Sequence, residues 1–332
     1  MINPKARLSK KLFKDSAEMV AARDGYGKAL VELGEKNPNV VVLSGDLTES
    51  TRSQWFAEKF PERFIEVGVA EQNMMGIAAG LALSGKVPFV SSYATFNPGR
   101  NWDQLRVSVA YSAANVKIAG AHAGISVGPD GATHQALEDI AITRVLPGLI
   151  VVVPCDAIEA RKATLAIGQL KGPAYIRFGR EKTAQFTTED TPFKIGRAEV
   201  FRDGSDVTII GSGILVYNAL LAADELHRDG IDCLVINNHT IKPMDRKTIV
   251  AAARKCGAVV TVEEHQINAG AGSAVMEVLA GEYPVPVERV GMQDTFGESG
   301  QPFELIEKYG MGKDAIIKAV RKAISRRKSS RI

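Results

Sequence analysis

The sequence predicts an α/β protein made of two doubly wound domains in series, and three observations lead there. Short apolar runs alternate along the chain with amphipathic stretches of helical period. The runs lack the polar alternation of a half-exposed strand, which places them in a mostly parallel sheet covered on both faces. A hydrophilic stretch, EKTAQFTTEDTPFKIGR from Glu181 to Arg197, interrupts the pattern, which then restarts. A length of 332 residues suits two domains of ordinary size.

The elements follow in order. Residues 1–20 are polar and basic and read as an N-terminal arm, loosely held. The first domain is expected over 21–182. It opens on the helix AARDGYGKALVELGEKN, stopped before Pro38. Its strands are NVVVLSG, RFIEVG, VPFVSSY, VKIAGAH, LIVVVPCD and AYIRFG. Helices AEQNMMGIAAGLALSG, WDQLRVSVAYSAA, THQALEDIAITRVL and AIEARKATLAIGQL separate them. Residues 183–197 are the expected linker. The second domain, 198–325, carries strands DVTIIGSG, DCLVIN, AVVTVEEH and VPVERVGM. Its helices are ILVYNALLAADELHRDG, RKTIVAAARKC and AGSAVMEVLAG. The basic tail 326–332, with Arg326, Arg327, Lys328 and Arg331, reads as a solvated run of like charge.

Composition excludes several classes. Hydrophobic residues make up 45% and charged residues 24%, an ordinary globular mix. A formal net charge of +3 is too small to argue for nucleic acid. No apolar run reaches the roughly 18 residues of a membrane helix, and no signal-peptide core opens the chain. Cys155, Cys233 and Cys256 form no C-x-x-C pair, so reduced, buried thiols and a cytoplasmic location are expected.

In such sheets ligands bind beyond the carboxyl ends of the strands. Those ends lead into SGDLTES (44–50), EVGVAEQN with Glu71 opening a helix, SSYATFNPGRNW, AHAGISVGPDGATH (121–134), and the turn beside Arg177 and Arg180. A carboxylate, two histidines, an aspartate, aromatics and arginines thus gather at one sheet edge. Glu71 alone has two readings. It is a first-turn acid favoured by the helix dipole, worth under about 1 kcal/mol. Or it is a carboxyl poorly solvated against MMGIAAGLAL and suited to exchange a proton with a ligand nitrogen. His122 and His134, with Asp130 between them, are satisfied by backbone or bond a polyol or phosphate, which a glycine-rich loop lets approach closely. No H-E-x-x-H or Cys/His set is present, so no metal site is expected in this chain. Gly211-Ser212-Gly213 mimics a dinucleotide fingerprint, but its third position is Val216, and a tight turn is the better reading. The run Val262 to His265, VEEH, ends a strand and has no assigned role.

At GVAEQNMMGIAAGLALSG followed by YATF, the sequence resembles the pyrimidine-binding domain of transketolases. HAGISVGPDGATHQALED resembles their substrate loop, H-x-x-I-x-x-G-x-D-G-x-T-H-Q. The likeness spans roughly residues 20–320, and the family's G-D-G and downstream asparagine, which hold metal and diphosphate, are absent. The resemblance therefore implies a thiamin-diphosphate-binding, pyrimidine-type fold followed by a transketolase C-terminal-like domain. It implies one subunit of a split transketolase of carbohydrate metabolism, pairing as α2β2 with an N-terminal subunit. That partner would carry the diphosphate-binding domain and hold Mg2+ or Ca2+. The reaction implied moves a two-carbon ketol unit from a ketose phosphate to an aldose phosphate.

Residue by residue, the resemblance makes Glu71 the acid that bonds the aminopyrimidine and drives its imino tautomer. Tyr93 and Phe96 would pack around the pyrimidine, with Asp46 and Trp102 near the cofactor. His122, Asp130 and His134 would contact the sugar donor. Arg23, Ser50 and Arg180 would hold its phosphate, a task for which the arginine fork is suited. The helix Ala70–Ser84, rich in Gly and Ala, would pack across a two-fold interface. One departure is Glu71-Gln72-Asn73 where transketolases usually carry E-H-A; it is closer to deoxyxylulose-phosphate synthases. Half of such a synthase, the beta subunit of a 2-oxo-acid dehydrogenase, and a non-catalytic interaction protein are the alternatives. The dehydrogenase subunit would need no sugar-phosphate arginines.

Overall fold

The structure is a computed structural model and describes residues 1–14 and 16–329. Strand β1 is Met19–Ala21. Next come β2 (Val40–Ser44), β3 (Phe64–Glu66), β4 (Val87–Tyr93), β5 (Lys117–Ala121), β6 (Ile150–Val152) and β7 (Ala174–Arg177). These six form one parallel sheet in the order β6-β7-β5-β4-β2-β3. Strand β8 (Lys182–Ala184) lies antiparallel on β1. The second unit holds β9 (Glu199–Arg202), β10 (Val207–Gly211), β11 (Cys233–Asn237), β12 (Thr240–Lys242), β13 (Val259–Gln266) and β14 (Val287–Met292). Its sheet runs β14-β13-β10-β11-β9, parallel except for β9.

Both faces of the first sheet are buried, as its unbroken apolar strands require. Val40 and Val42 pack with helices Ala22–Lys36 and Ala157–Gln169, while Val41 and Leu43 pack with helix Glu71–Leu83. Period-two strand geometry sends alternate side chains to opposite layers. The second sheet repeats the scheme. Helices Leu215–Arg228 and Lys313–Ser329 cover one face, and Arg246–Cys256 with Ala271–Glu282 covers the other. Close approach explains a mid-helix glycine: a Cβ on Gly25 would lie 1.9 Å from the Ala157 carbonyl oxygen.

The two units are more entangled than the sequence implies. Strand β12 leaves the second unit and pairs antiparallel with β6, closing an edge of the first sheet. Lys242 Nζ then donates to the carbonyls of Arg144 and Leu146.

Four expectations are corrected. The arm is tied down: Asn3 N–H donates to the Phe201 carbonyl, Ser9 N–H to that of Phe186, and Leu12 is buried. The linker stretch is pinned as well. Phe186 is fully buried, and the Asp156 carboxylate accepts from the Phe186 and Thr187 amides. The helix expected from Thr133 forms only over Asp139–Arg144, because Gln135 and Leu137 are spent on partners from the second unit. Finally, the basic tail is helical through Ser329. Arg326 pairs with Glu288 at 2.7 Å, and Arg327 donates to the carbonyls of Asp206 and Cys256. Arg331 lies outside the described residues.

Candidate active site

Glu71 is the first residue of helix Glu71–Leu83, and its side chain is only 1% exposed. The apolar wall of Met74, Met75 and Ala78 stands behind it. The wall is not its only neighbour. Arg100 Nη1 donates to Glu71 Oε2 at 2.7 Å, and the same guanidinium lies over the Phe96 ring, 4.7 Å from its centroid. Phe96 is parallel to Tyr93 at 6.2 Å, and Tyr93 stacks on His122 at 4.0 Å. His134 stands edge-on to Phe96 and Tyr93, at 5.5 and 6.1 Å. One continuous run of groups therefore links a buried carboxylate, through two aromatic faces, to two imidazoles.

The backbone beneath Glu71 is fixed by asparagines the sequence did not single out. Asn101 Nδ2 donates to the Glu71 carbonyl at 3.1 Å and to Asn97 Oδ1 at 3.0 Å. Asn97 Nδ2 in turn donates to the carbonyls of Val90 and Ala119 in the sheet. Glu66, at the end of β3, ties the neighbouring loops. Its carboxylate accepts from the Asp46 amide at 2.7 Å, the Gly68 amide at 2.9 Å and the Thr48 hydroxyl at 2.6 Å. Burial opposes its charge, yet these donors hold the carboxyl below its ordinary range. Asp46 is exposed, with φ +60.

Beyond the rings the site is cationic. Arg23 Nη1 donates to the Ser50 carbonyl at 3.0 Å, so Ser50 acts through its backbone, and Arg23 Nε is buried without a partner. Arg180 Nη1 reaches the Val127 carbonyl and Asp130 Oδ1, both at 3.3 Å. Arg52, unforeseen, is held by Asp24 at 2.6 Å. His122, with φ +54, is 1% exposed, and its Nδ1 has no partner. Burial first, then the charges of Arg23, Arg180 and Arg52, push its pKa down to about 2. It is therefore a neutral imidazole among guanidinium groups. His134 Nδ1 meets the Thr133 hydroxyl at 2.9 Å. Trp102 is used elsewhere: its indole N–H donates to the Ile142 carbonyl at 2.7 Å.

Glu71, Tyr93, Phe96, His122 and His134 thus meet, with Arg23, Asp130 and Arg180 at the cationic end. Arg100, Arg52 and Glu66 were missed. Arg100 and Glu66 lie in segments that sequence reading had marked, so the usable signal there was charge within those segments, whereas Arg52 falls two residues beyond the marked 44–50 loop. Among the described residues no group of three or more His, Cys, Asp or Glu side chains could hold a metal ion.

Fold and site together define an α/β protein in which a buried acid and two aromatic faces at one sheet edge adjoin a cluster of arginines. Comparison with known proteins sharpens this. Residues 18–185 match the transketolase pyrimidine-binding domain, and residues 196–316 match the transketolase C-terminal domain. The 6-deoxy-6-sulfo-D-fructose transketolase subunit SqwH of Clostridium sp. is 42% identical over 92% of this chain and 95% of its own. An apulose-4-phosphate transketolase subunit of Phocaeicola vulgatus is 39% identical over 90% of this chain and 96% of its own. A solved structure described as a split gene transketolase, inactive beta4 tetramer, superposes with a TM-score of 0.87 at 48% identity, covering 93% of this chain and 99% of that one. The chain belongs to the transketolase family, whose members are thiamin-diphosphate-dependent transferases.

Proposed function

We propose that this chain is the C-terminal subunit of a two-chain transketolase. A partner N-terminal subunit would carry the diphosphate-binding domain and hold thiamin diphosphate by its charged end through Mg2+ or Ca2+. One observation carries the reading. The Arg100 guanidinium, a planar cation, donates to Glu71 and covers Phe96. A carboxylate and an aromatic face that accept one planar N–H donor fit another, the pyrimidine of the cofactor. Thiamin diphosphate, when bound, supplies the nucleophilic carbon that carries a two-carbon ketol unit from a ketose phosphate to an aldose phosphate.

The chain's own residues do the rest. Glu71 holds the heterocycle and exchanges a proton with its ring nitrogen. Tyr93 and Phe96 exclude water from that face, with stacking worth on the order of 1 kcal/mol. His122, neutral at working pH, offers its free Nδ1 to a donor-sugar hydroxyl or carbonyl, and His134 stands beside it. Arg23 and Arg180, with the Ser50 loop and Asp130, bind the distal phosphate. Asp46 lines the cofactor side of the loop tied by Glu66.

An α2β2 assembly is the expected form, closed by two-fold symmetry. Helix Glu71–Leu83 leaves open space around Gly76 and Gly80, and Leu83 (70% exposed) and Tyr111 (90%) add apolar surface. The similar split gene protein, inactive as a beta4 tetramer, agrees with a need for a second kind of chain. Three buried free cysteines suit the reducing cytoplasm.

The test is reconstitution. This chain, a candidate partner bearing G-D-G and a downstream asparagine, thiamin diphosphate and Mg2+ are mixed with a ketose phosphate and an aldose phosphate. Turnover is expected only with both chains present, and none with Glu71→Ala. Turnover by this chain alone, or with pyruvate replacing the ketose as donor, refutes the reading.

A further inference from the structure

The VEEH run at the end of β13 lies at a telling place in the second sheet. Strand order β14-β13-β10-β11-β9 reverses between β10 and β13, with helix Leu215–Arg228 on one face and Arg246–Cys256 on the other. Doubly wound sheets take their ligands in the crevice outside the strand ends at that reversal. Here the crevice is filled by the protein itself, by the loop that runs from His122 to His134. Ile125, fully buried, packs in one cluster with Leu215, Val216 and Val262. The Ser126 amide donates to Glu264 Oε1 at 2.6 Å.

The fit is tight along the loop. Gly124 has φ +89, and a Cβ there would stand 2.3 Å from the Glu264 carboxyl carbon. A Cβ on Gly131 would meet Ser299 Oγ at 2.5 Å. Gln135 Nε2, just past the loop, donates to the Glu298 carbonyl at 2.9 Å. Glu264 is itself held in place: buried Arg177 donates to its carbonyl at 2.7 Å and to Asp139 at 2.9 Å. Glu263 and His265 complete the run. The first accepts from the amides of Ala271 and Gly272, and the second receives the Ala141 amide at 3.4 Å.

We propose that the second domain is the positioning element of the substrate loop, with Glu264 as the positioning residue that sets it. The domain's ligand crevice grips the back of the loop at Gly124–Ser126, so that its front presents His122, Asp130 and His134. Glu264 faces away from the reacting groups and acts through the loop. The substrate half of this inference rests on the phosphate-site reading above; the grip itself does not.

The experiment uses Glu264→Ala and Glu264→Gln, the latter keeping an oxygen that accepts the Ser126 amide. In the full-length chain alone, hydrogen exchange is followed over residues 122–134. A hydrogen bond to a carboxylate of this kind protects an amide at least about tenfold. Glu264→Ala should lose that protection across the loop, with β4 and β5 unchanged, and Glu264→Gln should retain most of it. In the enzyme assembled with its partner, KM for the ketose phosphate should rise about tenfold in Glu264→Ala, more than kcat falls, with thiamin diphosphate affinity unchanged. Wild-type exchange in Glu264→Ala overturns the proposal, whatever the enzyme's reaction. A loosened loop with unchanged KM overturns the substrate half and counts against the phosphate-site reading. Should Glu264→Ala fail to fold, Gly124→Ala carries the test: its methyl meets the carboxylate, and an unloosened loop refutes the grip.

Discussion

The ion pair of Glu71 and Arg100 is lopsided, and the asymmetry is measurable. The Glu71 side chain is 1% exposed and the Arg100 side chain 46%. Removing Arg100 strands a buried carboxylate, and breaking a buried pair in that direction costs about 3–5 kcal/mol. Because the pair is open to water on the arginine side, about 2 kcal/mol is the reasonable share here. Removing the charge of Glu71 instead frees an arginine that can turn into solvent, a loss under about 1 kcal/mol. At about 2–4 °C per kcal/mol, Arg100→Ala should lower the melting temperature by about 6 °C, and Glu71→Gln by no more than about 4 °C. The double variant should resemble Glu71→Gln, since an amide needs no cation. Thermal melts and urea curves of the isolated chain, in a double-mutant cycle, read all three. Assembled with the partner, both Glu71→Gln proteins should be inactive, because the amide cannot exchange the proton. Arg100→Ala melting with the wild type, or losses that simply add in the double variant, would refute the reasoning.

Two further outcomes concern pH. Burial pushes the pKa values of His122, His239 and His265 down to about 2, 3 and 4, so three of the protein's five histidines should stay neutral from pH 5 to 8. A histidine-resolved NMR titration should show three flat imidazole signals, and a midpoint near 6.5 for His122 would sink its assignment as a neutral donor or acceptor. Burial also raises the Glu159 carboxyl from 4.5 to about 7. The folded state then holds that proton more tightly than the unfolded chain. The stabilisation is full below about pH 4.5 and is lost as pH rises through about 7, a span worth at most about 3 kcal/mol. Glu159→Gln keeps the neutral form. Asn237, whose Nδ2 donates to Glu159 and whose Oδ1 has no partner, can flip to receive the new amide. Wild type should therefore lose stability against this variant between pH 5 and 8, and parallel urea midpoints would contradict that.

The central strands were legible because they are short, largely apolar runs bounded by turn residues, whereas the three- and four-residue strands β1, β8, β9 and β12 were not foreseen. The arm was not, because it is held through backbone groups and small contacts. Asn3 and Ser9 donate main-chain bonds, which leave no trace in hydropathy. Helical period misled at Thr133–Glu138, where the apolar Leu137 serves the second domain's core and not a helix face. The basic run misled by its net charge. Arg326 and Lys322 both reach Glu288, an acid nearly forty residues earlier, and no local pattern announces such a pair. Glu71, the aromatics, the histidines and the outer arginines were found because strand-end loops are few. Arg100 was missed, and Glu264 was noted without a role, because their partners, Glu71 and the Ser126 amide, lie far off in sequence.

The same distances explain why half a site needs two domains. A loop bearing two histidines and an aspartate, with positive φ at His122, Gly124, Gly128 and Gly131, has little local preference for one shape. Ring stacking on Tyr93 restrains its start, and the Arg180–Asp130 pair at 3.3 Å, with side chains one-third exposed, restrains its far end only weakly. What remains is a rigid backing, and the second sheet provides one where such sheets would otherwise keep a ligand crevice. Glu71, by contrast, sits on a helix packed against the first sheet and takes its rigidity from there. Glu71 and the loop from His122 to His134 thus draw their order from different domains. Damage to the second domain should therefore reach the sugar before it reaches the coenzyme.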